Sequence, residues 1–547
     1  MLSEKKTSCI DHQQLDVLFL HIPKYNNYYP ALNVHSSCNR MALGLLALAD
    51  FMYENGYRSR IIHTGIEHRL DKNFSFAETL RKYRPGVIGF SQHFHHNLVD
   101  TLQWAAQAKQ ILPESFIVLG GFTSTFFAQN IMQQAPFVDA ICKGDAELPL
   151  LKLCKRIFEE QSHDLKGVPN FIWRQGKIIK DNEQSYTITQ EIFNRLNFTN
   201  FSLLEHAEEY IGLPKAPIRT NLPGKFDKVL NTLIGRDKEK LYWGLPVGRG
   251  CIFNCAYCGG GSRAQQAINA RKGIIVRKQE DVVKTICSLV EFGFRGAYVS
   301  FDPGSEWSEK YYKELFRKLR ITRHPFKLLF SSWRLPTENF FTEFSKTFDQ
   351  KSAVLISPET GSNRIRAQSR PNSFTNEELM ARLRYADELG VRTVVYFSIG
   401  AFERTNQDLE QTLLLKKQIE EQINNVSIEG FLVETEPGAP WQLNPIKYEI
   451  NLLRRNFSDF IRDHSVQKYS SMSHLGYTTC LFGTPSIEPE EFRDRLLQIR
   501  CKHFCKKKVR CKVMQQVWRM GRAVRMVPCP EAQSIEDILS PSSNPKV

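Results

Sequence analysis

The 547-residue sequence predicts an α/β architecture: an N-terminal doubly wound domain, then a full or partial (β/α) barrel, then a small, mostly helical C-terminal region. Three observations carry this. Short apolar runs alternate with helical patterns over residues 1–165. The same alternation resumes over residues 241–445, after a stretch (166–240) that Pro169, Pro214, Pro217 and Pro223 mark as a linker. Past residue 446 the pattern turns helical and basic to residue 530, and the Ser-, Pro- and Asn-rich residues 531–547 read as a disordered tail. The length suits roughly two to four domains.

In the first part, Leu15-Asp16-Val17-Leu18-Phe19-Leu20 reads as a buried strand, and Met41 to Asn55 as a helix stopped by Gly56. Strands follow at Arg60–His63, Gly86–Ser91, Phe116–Gly121 and Ala140–Glu147, with a helix from Asn97 to Ile111 and another starting near Leu148. In the second part, strands are expected at Ala297–Phe301, Lys327–Phe330, Ala353–Ile356, Thr393–Phe397 and Glu429–Val433. Helices at Glu280–Glu291, Asn376–Leu389 and Asn406–Gln422 lie between them, the order of a parallel barrel.

Composition narrows the function classes. Thirteen cysteines, an odd number, are scattered behind a polar N-terminus with no apolar leader, so reduced thiols and a cytoplasmic location are expected. No run approaches about 18 apolar residues, which argues against a membrane span. The net charge of +15 suits an anionic substrate, nucleic acid or solubility alone, and nucleic acid is not the expected partner.

The densest chemistry lies at Cys251-Ile252-Phe253-Asn254-Cys255-Ala256-Tyr257-Cys258-Gly259-Gly260-Gly261. Three cysteines spaced C-x3-C-x2-C fall one short of the four protein ligands that a structural zinc or a fully ligated cluster takes. The stretch resembles the signature of the radical S-adenosylmethionine (SAM) superfamily. The resemblance implies a 4Fe-4S cluster on Cys251, Cys255 and Cys258, with SAM on the open iron. It further implies SAM contacts at the barrel mouth from Tyr257, Gly259, Gly260, Ser300, Asp302, Glu359 and Ser398. Glu359 lies in Pro358-Glu359-Thr360-Gly361-Ser362, similar to a motif of cobalamin-linked members, whereas Phe301-Asp302-Pro303-Gly304 departs from the usual Gly-Gly-Glu.

The first part resembles the Rossmann-like cobalamin-binding domain fused to many of these enzymes. Leu119-Gly120-Gly121-Phe122-Thr123-Ser124 resembles its Leu-Gly-Gly loop, and Lys143-Gly144-Asp145-Ala146-Glu147 its acidic turn. The resemblance implies cobalamin contacts from Ser91, Gly120, Gly121 and Thr123. The Asp-x-His-x-x-Gly motif that binds cobalt in many such domains is absent after the first strand, where His21-Ile22-Pro23 stands. His93, His95 and His96 follow the third strand and read as polar loop residues. Cys501, Cys505, Cys511 and Cys529 lie among lysines and arginines and read as helix cysteines of a small basic region.

The resemblance, over residues 15–440, implies a cobalamin-dependent radical SAM methyltransferase of a biosynthetic small molecule or peptide, served by an external flavodoxin- or ferredoxin-type reductant. The alternatives are a non-methylating cyclase or rearrangement enzyme, an RNA-modifying enzyme, and a non-catalytic cobalamin or iron-sulfur sensor.

Overall fold

Fully buried apolar runs set the first sheet. β1 (Val17–His21), β2 (Ser59–His63), β3 (Val87–Ser91), β4 (Phe116–Gly120) and β5 (Ala140–Cys142) are parallel and buried along almost their whole length. Strands covered by helices on both faces read this way. β6 (Phe171–Gln175) and β7 (Ile178–Asp181) add antiparallel, giving the order β2-β1-β3-β4-β5-β6-β7. The chain reverses direction of winding between β1 and β3, so a crevice opens at their C-terminal ends. The computed structural model describes residues 14–23, 41, 43–71, 73–211, 242–302, 305–322, 326–399, 406–432, 436–448, 450–452 and 454–467, with 482, 483, 535 and 539.

The stretch expected as a linker is a structured part of the fold up to residue 211. Phe171-Ile172-Trp173 is buried as β6, while β7 is half-exposed at the sheet edge, so its alternation is weak in the sequence. Beyond them the chain is stitched to the second domain. Gln184 Nε2 donates to Ile268 O at 2.8 Å, and the Gln190 side chain exchanges two bonds with the Val276 backbone, at 2.7 and 3.2 Å. Residues 212–241 lie outside the described residues.

The second sheet is the expected barrel in its partial form. β8 (Trp243–Gly244) is followed by a hairpin of β9 (Gly248–Gly250) and β10 (Ile274–Val276), which holds the three-cysteine loop between its strands. β11 (Gly296–Val299), β12 (Lys327–Ser332), β13 (Ala353–Glu359), β14 (Arg392–Ile399) and β15 (Val426–Leu432) then join β8 in sequential parallel order. Among the described residues β15 does not pair with β8, so the barrel stays open. Alternate residues divide the two faces. Tyr298, Leu329, Leu355, Val394 and Tyr396 form the inner cluster, whereas Val299, Phe330, Val354 and Val395 pack outward beneath the helices.

The C-terminal chain returns to the first domain. Helix Phe457–Gln467 buries Phe457, Phe460 and Ile461 in that domain's core. Leu539, in the stretch expected to be disordered, packs there too and is 2% exposed. The basic cysteines Cys501, Cys505, Cys511 and Cys529 lie outside the described residues. Among the described residues, no helix is long and apolar enough to cross a membrane.

Candidate functional site

The C-terminal ends of β1, β3, β4 and β5 open onto a cavity of about 600 Å³ whose far wall includes Trp243, Gly244, Arg249 and Tyr298 of the second domain. Ser91, Gly120 and Gly121, residues that the resemblance implies as cobalamin contacts, are among its lining. Thr123 is not among the lining residues. It is 2% exposed, and its hydroxyl donates to His93 O at 2.9 Å, so its part is to pin the β3 loop. Gly121 sits at φ +110°, under the Gln92–His93 peptide, where only glycine leaves room. His95 and His96 stack on each other, with His95 also against Phe460, and belong to the packing of the C-terminal helix.

A charge cluster crosses the cavity rim. Arg249 bridges Asp145 at 3.2 Å and Glu147 at 2.7 Å, and Arg271 pairs with the second oxygen of Asp145. Ile188 N–H adds a bond to that oxygen at 2.8 Å. The acidic turn after β5 is thereby fastened to the residue two before Cys251. Sequence reading found the carboxylates but not their partners, for which Gly248-Arg249-Gly250 ahead of the first cysteine was the available signal.

Cys251, Cys255 and Cys258 share one partly buried loop. Phe253 N–H points at Cys251 Sγ and Gly260 N–H at Cys258 Sγ, both at 3.3 Å. Burial pushes the Cys251 thiol up to about 11 and raises Cys255 and Cys258 as well. A metal bound there would displace the thiol protons. Among the described residues no three His, Cys, Asp or Glu side chains are gathered in metal-binding geometry. The donor set of the loop nevertheless suits a cluster: three free thiols on one loop, with backbone N–H groups aimed at two of them, an outer-shell bond that tunes such centres.

At the barrel mouth the other candidates fall into two groups. Tyr257 OH donates to Glu359 Oε1 at 3.0 Å, Ser398 Oγ donates to Glu359 Oε2, and Arg370 approaches Oε1 at 3.5 Å. Glu359 itself stands at φ +67°, at a bulge ending β13, a costly conformation for a non-glycine residue. The buried Arg366 holds that turn, donating to Pro358 O at 2.9 Å, Phe374 O at 2.6 Å and Thr360 O. The second group is Asp302, which accepts from Ser332 Oγ (3.1 Å), Trp333 N–H (3.2 Å) and Arg334 Nε (3.0 Å). Ser300 Oγ accepts from Trp333 Nε1 at 3.2 Å. Gly259 N–H, one residue past the last cysteine, donates to Glu436 Oε2 at 2.7 Å, while Gly260 lies beside Cys258 Sγ. Arg370 carried no sequence signal: its role arises only from the fold.

Residues 40–153 match the B12 binding domain family, and residues 245–415 match the radical SAM superfamily. An uncharacterized methyltransferase, PH0819, of Pyrococcus horikoshii is 24% identical over 69% of this chain and 73% of its own length. Hopanoid C-3 methylase of Methylococcus capsulatus is 28% identical over 21% of this chain and 22% of its own. The anaerobic magnesium-protoporphyrin IX monomethyl ester cyclase of Cereibacter sphaeroides is 21% identical over 68% of this chain and 54% of its own. In fold, the chain is similar to the radical SAM methyltransferase TsrM of Kitasatospora setae, solved with cobalamin and a 4Fe-4S cluster: TM-score 0.54, 15% identity, 78% of this chain and 74% of that one covered.

Proposed function

We propose that this chain, a cobalamin-dependent radical SAM enzyme, is a methyltransferase that places a methyl group on an unactivated carbon of a biosynthetic substrate. The single observation that carries the reading is the cavity bordered by the strand ends of the cobalamin-binding domain and by residues of the barrel. When bound, cobalamin and SAM supply a transferable methyl group and a carbon radical able to open a C–H bond. Relatives named as a methyltransferase and a methylase support methyl transfer over other outcomes.

Each set of residues has a task. Cys251, Cys255 and Cys258 hold the cluster through sulfur, with Phe253 and Gly260 N–H groups orienting two of the three. Tyr257, Gly259 and Gly260 form the backbone shelf for SAM, and the Glu359–Ser398–Arg370 group fixes the position of Tyr257 against it. Asp302 and Ser300 hold Trp333 and Arg334 in place. Ser91, Gly120 and Gly121 form the floor for the corrin, and the apolar lining (Phe19, Phe90 and Leu119 among it) excludes water.

Anaerobically reconstituted protein, given an external reductant and SAM with a deuterated methyl group, tests this. Methyl transfer requires S-adenosylhomocysteine alongside 5′-deoxyadenosine, and a product in which a CD3 group replaces one hydrogen. Formation of 5′-deoxyadenosine alone, with no methyl gain, would instead favour a cyclase, the reading to which the match over 68% of this chain also lends weight.

A further inference from the structure

Two neighbouring elements strap the three-cysteine loop through Ala256. Its N–H donates to Ser369 O at 2.9 Å, at the end of the helix Asn363–Ser369, and its carbonyl accepts from Trp441 N–H at 2.9 Å. Trp441 and Ile365 pack on Ala256 in a small apolar cluster that Tyr257 borders. The strap to which Trp441 belongs is well ordered. Gln442 and Leu443 N–H both donate to Ala439 O, Asn444 N–H donates to Pro440 O, and Tyr448 and Ile450 N–H both donate to Pro445 O. The Gln442 side chain also accepts from Gly438 N–H at 2.7 Å.

This ordered strap presents apolar side chains to water. Leu443 is 56% exposed and Ile446 89%, the most exposed large apolar side chain among the described residues. On the loop itself Ile252, directly after Cys251, is 47% exposed. A single exposed isoleucine is ordinary, whereas several on ordered backbone around one loop mark an interaction site. None of them lines the cavity between the domains. The charge around them has one sign. Residues 252–269, 363–370 and 439–448 expose Arg263, Arg364 and Lys447 and contain no aspartate or glutamate. Arg364 stays more than half exposed beside the buried Asp408, and Glu436, just before the strap, is spent on Gly259 N–H at 2.7 Å.

We propose that Ile252, Leu443 and Ile446, together with Arg263, Arg364 and Lys447, form the docking surface for an acidic flavin-carrying protein that reduces the cluster. This rests on the cluster held by Cys251, Cys255 and Cys258 and is independent of the methyl-transfer reading. One electron leaves the carrier's reduced flavin, which is oxidised, and enters the cluster, which is reduced; no atom is transferred. A protein donor is too large for the cavity and must reach the cysteines from the exposed flank of their loop. Apolar anchors within a charged surround are the composition of protein interfaces. The cations speed encounter with a partner of opposite charge.

Full-length protein reconstituted with iron and sulfide, mixed anaerobically with reduced flavodoxin in a stopped-flow instrument, gives the test through bleaching of the cluster's visible absorbance. The wild-type rate should fall as salt rises, because screening weakens attraction between opposed charges. The double variant Ile446→Ser with Lys447→Glu should be reduced by flavodoxin on the order of ten-fold more slowly at low salt. Dithionite and reduced methyl viologen, small enough to need no docking surface, should reduce it within about two-fold of the wild-type rate. An unchanged flavodoxin rate in the variant would overturn the proposal, as would a wild-type rate indifferent to salt. Equal slowing with every reductant would trace the effect to the cluster itself and refute docking. If the double variant takes up no iron, Arg263→Glu, on a different element, carries the same comparison. Absence of iron from reconstituted wild-type protein would sink the cluster assignment and the proposal with it.

Discussion

Gly120 and Gly121 are adjacent at the end of β4 yet meet opposite surroundings, so a pair of substitutions separates fold from ligand. A Cβ on Gly120 finds nothing within 4 Å. On Gly121, at φ +110°, it would stand 2.7 Å from the Gln92 carbonyl and 2.8 Å from His93 N. Holding an L-residue in that region costs about 1–3 kcal/mol before the clash is relieved. With each kcal/mol worth roughly 2–4 °C in a domain of this size, Gly121→Ala should lower the Tm of cobalamin-free protein by roughly 2–12 °C. Gly120→Val should leave that Tm within about 2 °C, since a branched side chain suits a strand and meets open space. It should nonetheless weaken cobalamin binding on the order of ten-fold, because only about 1.4 kcal/mol of lost contact is needed. Differential scanning fluorimetry and cobalt content after gel filtration read the two effects. Wild-type cobalamin retention by Gly120→Val would refute the cavity as the corrin site, and an unshifted Tm in Gly121→Ala would refute the backbone argument.

Other outcomes follow from the same geometry. Arg249→Gln strands the buried Glu147 and half of Asp145's pairing, and should destabilise the protein by about 3 kcal/mol or more in denaturant titration. Cys255→Ala should abolish bound iron after reconstitution while the apoprotein keeps its Tm to within about 2 °C. Burial depresses the pKa of His68, so the unfolded chain takes up a proton near the ordinary histidine value of about 6.5 that the folded one refuses. The stability at stake is complete above that pH and is lost as pH falls below it, so the apoprotein should unfold at lower urea as buffer is taken from neutral toward pH 5, and less steeply in His68→Asn. A flat profile would contradict the burial argument.

Elements whose residues repeat one environment were legible in the sequence. The short, largely apolar runs of β1, β3 and β4 read as strands covered on both faces, and their boundaries fall within a residue or two of expectation. β6 and β7 were hidden because an edge pair with one half-exposed member lacks a clean period, and surrounding prolines suggested a linker. At the site, the cysteines and glycines declared themselves by spacing. Arg249, Arg271 and Arg370 did not, because an arginine's role depends on which carboxylate the fold brings to it. Asp302 shows the converse: a strand-end carboxylate that looks available in sequence is consumed by Ser332, Trp333 and Arg334.

The ties between the two domains bear on why one chain carries both. Ion pairs as enclosed as Arg271–Asp145 and Arg249–Glu147 add little net stability over apolar contacts of the same shape, since desolvation offsets most of their attraction. What they supply is a single registration, because each carboxylate oxygen has one place to be. Gln184 and Gln190, bonded to the Ile268 and Val276 backbones, repeat that registration along the hairpin that carries the cysteines. A rigid joint suits two reactive groups that must meet the same carbon in turn, where a displacement near 1 Å can cost on the order of a hundred-fold in rate. It suits a chain of two independently acting halves poorly, because such halves gain nothing from a fixed separation. The cross-domain polar joint is therefore itself an argument that the cavity it borders is the workplace of both domains.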